Sequence, residues 1–256
     1  MERKLFSLEE ALTSVPDGAL VGLGGNTLNR APMAAVREMI RQGKKNLRLV
    51  KTAGGMDIDL LCRAGCVSTV DAGFISYESE FGLCSFYRKA VQKGEVVAHE
   101  HACYTVISAL RAASCGIPFM PVRGLQVSDL RKVNDYFADV KDPFSGETLA
   151  AVKAIAPDVS VVHVQEADAF GNARIWGPVY EDALLARASR RVIVTAERIV
   201  GDGYFAAQRE KPQIPGFLVS HVVSCPRGAA PCACAEEYGI DGEAIRAART
   251  EGGGQP

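Results

Sequence analysis

Several segments put glycine beside polar side chains directly after an apolar run, the place where α/β folds gather ligands. The first is Leu23-Gly24-Gly25-Asn26-Thr27-Leu28-Asn29-Arg30-Ala31-Pro32. Glycine lets backbone N–H groups approach a ligand closely, and the following helix start favours an anion. The spacing is not G-x-G-x-x-G, and no P-loop lysine is present, so neither a dinucleotide nor a nucleoside triphosphate is supported. Thr52-Ala53-Gly54-Gly55 repeats the arrangement, and Gly73-Phe74-Ile75-Ser76-Tyr77-Glu78 follows another apolar run. Glu78 and Glu80 could act as general bases, although loop carboxylates are usually only solvated charges. The segment Gln165 to Ala173 is by itself a turn signal around Asp168 to Asn172.

No nucleophile stands out. The chain has no G-x-S-x-G elbow, no histidine-containing metal signature and no Ser–His–Asp order. His99 and His101 flank Glu100, a grouping more often found on a surface than in a site. The eight cysteines are irregularly spaced. Cys232-Ala233-Cys234 with Cys225 upstream suggests half a zinc site, but the sequence shows no second tight pair to complete four ligands. Free thiols are expected, and no metal.

Strands alternating with helices must position these segments. Ser7-Leu8-Glu9-Glu10 is a capping-box pattern opening a short helix to about Ser14. Ala19 to Leu23 reads as a buried strand, and Pro32 suits the first turn of a helix to Gln42 with Met33, Val36, Met39 and Ile40 on one face. Strands are expected at Leu47–Val50, Val67–Ala72, Ile117–Val122, Val159–Val164 and Arg191–Thr195. Helices are expected at Ile58–Ala64, Phe81–Lys93, His101–Cys115 and Glu181–Ala188. The pattern predicts an α/β fold with an open, mostly parallel sheet and helices on both faces. The more polar stretch Asp129 to Glu147 reads as a loop excursion within the domain.

The 256 residues, 48% hydrophobic, are enough for a sizeable core. With 29 basic and 30 acidic residues, charge gives no argument for nucleic acid or an anionic membrane surface. No apolar run approaches the roughly 20 residues of a membrane span. The start, Met1-Glu2-Arg3-Lys4, does not read as a signal peptide, so a cytoplasmic protein is expected.

Taken in order, these segments resemble the α subunit of glutaconate CoA-transferase, of the family I CoA-transferases. The resemblance rests on Leu23-Gly24-Gly25 with Asn29-Arg30 and Pro32, on Ala34-Ala35-Val36 through Gly43, and on Gly116-Ile117-Pro118-Phe119-Met120-Pro121-Val122. Arg174-Ile175-Trp176-Gly177, Ile193-Val194-Thr195 with Glu197, and Ile214-Pro215-Gly216 extend it, from about Leu8 to Ile240. It fits a single domain over residues 1–249; the composition of 250–256 reads as a disordered tail. It further implies a homologous β subunit carrying the catalytic glutamate, in a heterodimer or heterotetramer. Coenzyme A enters as part of the substrate and no separate cofactor is expected. Gly24, Gly25, Gly54 and Gly55 are then the substrate turns, with Asn26, Thr27, Asn29, Arg30, Ser76 and Tyr77 as polar contacts to the acyl group. A valine at Gly25 is expected to block an oxyanion-binding turn while leaving the fold intact.

The resemblance extends to a branch that decarboxylates a glutaconyl-type thioester in myxobacterial isovalerate biosynthesis, without the β-subunit glutamate. A third branch, a ring-opening hydrolase, carries a glutamate on the α subunit near the position of Cys103 here, with Glu100 a few residues early. A ligand-binding regulator on this fold would need a basic helix-turn-helix module, and no spare segment provides one.

Overall fold

The computed structural model describes residues 2–125, 127–208 and 211–250. The apolar runs form β1 (Leu20–Leu23), β2 (Leu47–Gly54), β3 (Val67–Ile75), β4 (Val97–Glu100), β5 (Phe119–Val122), β6 (Phe137–Lys141), β7 (Thr148–Lys153), β8 (Val159–Asp168), β9 (Ala173–Arg174), β10 (Val192–Val200) and β11 (His221–Ser224). The helices are α1 (Leu8–Thr13), α2 (Met33–Arg41), α3 (Met56–Arg63), α4 (Glu78–Phe81), α5 (Ser85–Gln92), α6 (Cys103–Ser114), α7 (Leu130–Val133), α8 (Asp182–Ala188), α9 (Tyr204–Ala207) and α10 (Gly242–Thr250). The main sheet has eight strands in the order β11-β10-β8-β1-β2-β3-β4, with β9 added beside β8. All its pairings are parallel except β8 with β9.

The order explains where a ligand can sit. From β1 the chain winds outward through β2, β3 and β4, then returns to place β8 on the other side of β1. The two winding directions part between β1 and β8, and such a switch point leaves a crevice beyond the strand C-termini. The segment Gly24 to Arg30 follows β1 directly into that crevice.

Both faces are covered. One layer packs Leu12 of α1, Val36 and Met39 of α2, Ile58 and Leu61 of α3 and Ile245 of α10 into a single cluster. The other packs Val106 and Leu110 of α6 and Leu185 of α8 against Val162 and Val194. All ten residues of β8 are buried, as expected for a central parallel strand covered on both sides. The capping box forms: Ser7 Oγ accepts from the Glu10 N–H at 3.2 Å, and Glu10 Oε2 accepts from the Ser7 N–H at 2.9 Å.

Several expectations change. Asp129 to Glu147 is not a plain loop, because α7 and β6 lie within it and β6 pairs antiparallel with β7. β5 joins the same separate three-stranded sheet, in the order β5-β7-β6, rather than the main one. The helix expected over Phe81–Lys93 is split at Gly82, whose φ of 80° cannot continue a helix. β4 and α10 were not foreseen. Asp241 caps α10, accepting from the Ala244 N–H at 3.0 Å. α10 ends at Thr250, and residues 251–256 of the expected tail lie outside the described residues. Among the described residues no helix is long and apolar enough to cross a membrane.

Candidate active site

The loops after β1, β2 and β3 meet beyond the strand ends. The Thr27 N–H donates to Ala53 O at 2.9 Å and the Ser76 N–H to Gly54 O at 3.0 Å. A Cβ on Gly55 would lie 3.1 Å from Ser76 O and 3.2 Å from Thr27 O, so a larger residue here would push against the convergence of three backbones. Of the sequence-selected residues, the fold brings Asn26, Thr27, Gly54, Gly55 and Ser76 to one rim.

The Gly24-Gly25 turn works differently from the expectation. The Gly24 N–H donates to Val161 O at 2.9 Å, and the Gly25 N–H to the buried Asp182 Oδ1 at 2.7 Å. Asn26 and Asn29 exchange two backbone hydrogen bonds of 2.8 Å, closing the turn on itself. These donors are engaged within the protein and are not presented to an oxyanion. Gly25 has φ of 71°, and a Cβ there would lie 2.5 Å from the backbone of Asn29 and Arg30. Valine at this position would therefore break the turn itself, which corrects the expectation of an intact fold.

Arg30 and Tyr77 also turn inward. Arg30 is 2% exposed and donates to Asp182 Oδ2 at 2.5 Å, His163 O at 3.0 Å and Pro178 O at 2.8 Å. It is neither a surface charge nor a free cation for the acyl group. Tyr77 is buried, with its hydroxyl donating to Asp59 Oδ2 at 3.0 Å. A second buried pair braces the floor: Lys51 Nζ donates to Asp57 Oδ2 at 2.6 Å and to Gly24 O at 2.8 Å, while Asp57 Oδ1 accepts from the Gly55 N–H at 3.0 Å. Both glycine turns are thus anchored to buried carboxylates, each with its own cation.

Glu181 forms no ion pair among the described residues, although the charge of Lys51 acts on it. It is buried at the start of α8, its Oε1 has no hydrogen-bond partner, and burial pushes its carboxyl above the usual range. The Thr52 hydroxyl beside it opposes the shift, yet Thr52 Oγ1 also stops short of hydrogen-bond geometry. Cys103, half-buried at the start of α6, places Sγ 3.5 Å from Thr52 O. Burial, then the nearby Glu181, raise its thiol. Glu78 is exposed on the rim with φ of 63°, and Glu100 is exposed at the end of β4.

Sequence reasoning missed a buried network behind the floor. His163 and Glu197 meet at 2.8 Å, His163 Nδ1 lies 2.9 Å from Thr195 Oγ1, and Glu197 accepts from the Tyr238 hydroxyl at 2.5 Å and the Arg227 N–H at 2.6 Å. Burial alone would raise the Glu197 carboxyl, but the donors from His163, Tyr238 and Arg227 outweigh it and hold it below the usual range. Cys234 lies close enough that its sulfur and donor atoms of His163 and Glu197 fall within 4.8 Å of one another. Folding therefore brings a histidine distant in sequence, His163, close to Cys234. The imidazole and carboxylate are already hydrogen bonded there. All eight cysteines are free.

A family model described as Coenzyme A transferase matches residues 6–224. An uncharacterized protein of Archaeoglobus fulgidus is 37% identical over 96% of this chain, which spans 55% of that relative's length. One of the subunits of the glutaconate CoA-transferase of Acidaminococcus fermentans is 32% identical over 93% of this chain and 80% of the relative. A crystal structure of the glutaconate coenzyme A-transferase of that bacterium superposes with a TM-score of 0.90, covering 95% of this chain and 82% of that one. The structure of a cysteine-to-serine variant of the decarboxylase AibA/AibB superposes at 0.88 with 35% identity, covering 99% of this chain and 95% of the other.

Proposed function

Because the chain belongs to the coenzyme A transferase family, we propose that it is the α subunit of a two-subunit cytoplasmic enzyme that moves CoA between carboxylic acids, with short dicarboxylic, glutaconate-type thioesters as substrates. The observation that carries this reading is the rim at the switch point. Thr27, Gly55 and Ser76 converge there on a floor braced by paired buried charges, while Phe74, Leu83 and Tyr104 stand 46%, 57% and 55% exposed around it. Large apolar side chains gathered at a ligand rim mark a surface that a second polypeptide covers. The relatives from the 3-oxoadipate and glutaconate CoA-transferases are each one subunit of their enzyme, which supports the same arrangement.

The partner supplies the nucleophile in this reading. Its glutamate attacks the thioester carbonyl, forming a mixed anhydride and releasing CoA thiolate. The thiolate then attacks the glutamyl carbonyl, freeing the first acid and leaving a glutamyl-CoA thioester for the acceptor acid to resolve. This chain contributes the acyl pocket, formed by the peptide rim at Asn26, Thr27, Gly54, Gly55 and Ser76. No cofactor beyond the CoA of the substrate is needed.

Decarboxylation of a glutaconyl-type thioester is the second reading, favoured by the 35% identity and close superposition with the decarboxylase AibA/AibB. Incubation of the two-subunit complex with glutaconyl-CoA, with and without acetate, separates the two. CoA exchange that depends on acetate supports transfer. Carbon dioxide release without an acceptor overturns it.

A further inference from the structure

Beside the rim, β4 ends at Glu100 opposite Ala72, whereas β3 continues to Ile75. The edge of Gly73 to Ile75 is therefore left unpaired by β4, and a notch of about 240 Å³ opens against it. Its wall at Gly73 to Ile75 is the stretch of β3 that leads in sequence to Ser76 of the rim. The volume lies below the range of pockets for drug-sized ligands, and suits a short chain.

His99 lines this notch, and its register partner across β3 and β4 is Asp71. Asp71 is 1% exposed, and its Oδ1 lies 3.1 Å from His99 Nδ1. His101 lies behind, with Nε2 3.5 Å from the same oxygen and Nδ1 3.2 Å from Thr105 Oγ1. Tyr136 of the small antiparallel sheet packs on both imidazoles, with ring centroids 5.4 Å and 5.2 Å away. The His99 side chain is itself 31% exposed. A carboxylate beside Nδ1 holds the N–H there and leaves the Nε2 lone pair as the basic atom, in a ring whose orientation is fixed.

CoA transfer makes and breaks only acyl bonds and needs no carbon-bound proton moved. An imidazole held this way is built for that second task. We propose that His99, oriented by Asp71, is a proton-transfer group acting on the acyl chain of the bound thioester; the inference rests on the CoA-thioester reading above. Nε2 takes a proton from the carbon γ to the thioester. The C–H electron pair moves through the conjugated double bond onto the thioester oxygen, giving a dienolate and an imidazolium. The imidazolium returns a proton to the chain, so atoms, charge and oxidation state balance and no co-reactant is needed. Asp71 is a positioning residue in this scheme.

The test uses the complex of this chain with its partner, glutaconyl-CoA and heavy water, with no acceptor acid present. The recovered thioester is weighed by mass spectrometry. The wild type is expected to incorporate deuterium into the acyl chain. His99→Ala is expected to slow incorporation by about 10²–10⁴-fold, with added imidazole restoring part of it. Circular dichroism and co-purification with the partner establish that the variant is folded. Nitrogen NMR is expected to place the His99 proton on Nδ1 in the wild type and to show it redistributed in Asp71→Asn. A wild type that transfers CoA in a parallel reaction containing acetate, but incorporates no deuterium without it, overturns this inference alone. Unchanged incorporation in His99→Ala, or a His99 proton on Nε2, does the same. A complex that neither exchanges CoA, releases carbon dioxide nor incorporates deuterium overturns the CoA-thioester reading with it.

Discussion

Replacing Arg30 with methionine tests the idea that this arginine holds the first glycine turn rather than the substrate. The guanidinium is 2% exposed and satisfies Asp182 together with the carbonyls of His163 and Pro178. Removing one partner of a buried pair leaves an uncompensated charge, which costs about 3–5 kcal/mol. Two carbonyls stripped of their donors place the expected loss toward the upper end. Against a typical total of about 5–15 kcal/mol this is large. With a urea dependence of about 3 kcal/mol per molar, the midpoint should fall by roughly 1–2 M. Equilibrium unfolding followed by far-ultraviolet circular dichroism and by the fluorescence of Trp176, the chain's single tryptophan, measures it, provided the two probes coincide. Adding Asp182→Asn removes the stranded charge, while the amide oxygen can still accept from the Gly25 N–H. The double variant should therefore be at least about 1 kcal/mol more stable than the sum of the single changes. A loss below about 1 kcal/mol for Arg30→Met, or strict additivity, would refute the bracing role.

Glu78→Gln should leave acetate-dependent CoA exchange within about threefold, because the nucleophile is assigned to the partner; loss of a hydroxylamine-sensitive intermediate in this variant would move it to the exposed rim of this chain. Glu181 has a folded-state pKa raised by burial, so its contribution to stability is present at low pH and is lost as pH rises through that value. Glu181→Gln should accordingly match the wild type near pH 4 and exceed it in melting temperature above neutrality, and an equal or lower value there counts against an uncompensated buried carboxyl. Glu197 carries the opposite sign: its depressed carboxyl stabilises the fold above the ordinary value of 4.5, and the contribution is lost as pH falls through the folded value. Glu197→Gln should lower stability most near pH 7 and progressively less as pH falls below 4.5, which a series of thermal melts would reveal.

The alternation of apolar runs with glycine and capping signals was enough to specify a parallel α/β sheet. Periodicity and turn chemistry are local properties, and in Ser7 with Glu10, or in the buried run Val159 to Val164, the local preference agrees with the tertiary result. The sites of chemistry were legible only as positions. The turns after β1, β2 and β3 do meet, because strand C-termini of a parallel sheet share one edge.

What each residue does there was decided by partners distant in sequence. Arg30 and Gly25 both serve Asp182, more than 150 positions away. His163 comes to Glu197 only when β8 and β10 pair, and the folded chain brings Cys234 alongside them. His99, which reads as a surface residue beside Glu100, acquires an oriented imidazole because β4 aligns it with Asp71 of β3. The sequence by itself determined the order and type of elements and the glycine turns, since these depend on backbone freedom and hydrophobic period. Only the tertiary structure decided which polar groups are engaged within the protein and which face the crevice, because a hydrogen bond depends on the positions of both partners and the sequence states only their types.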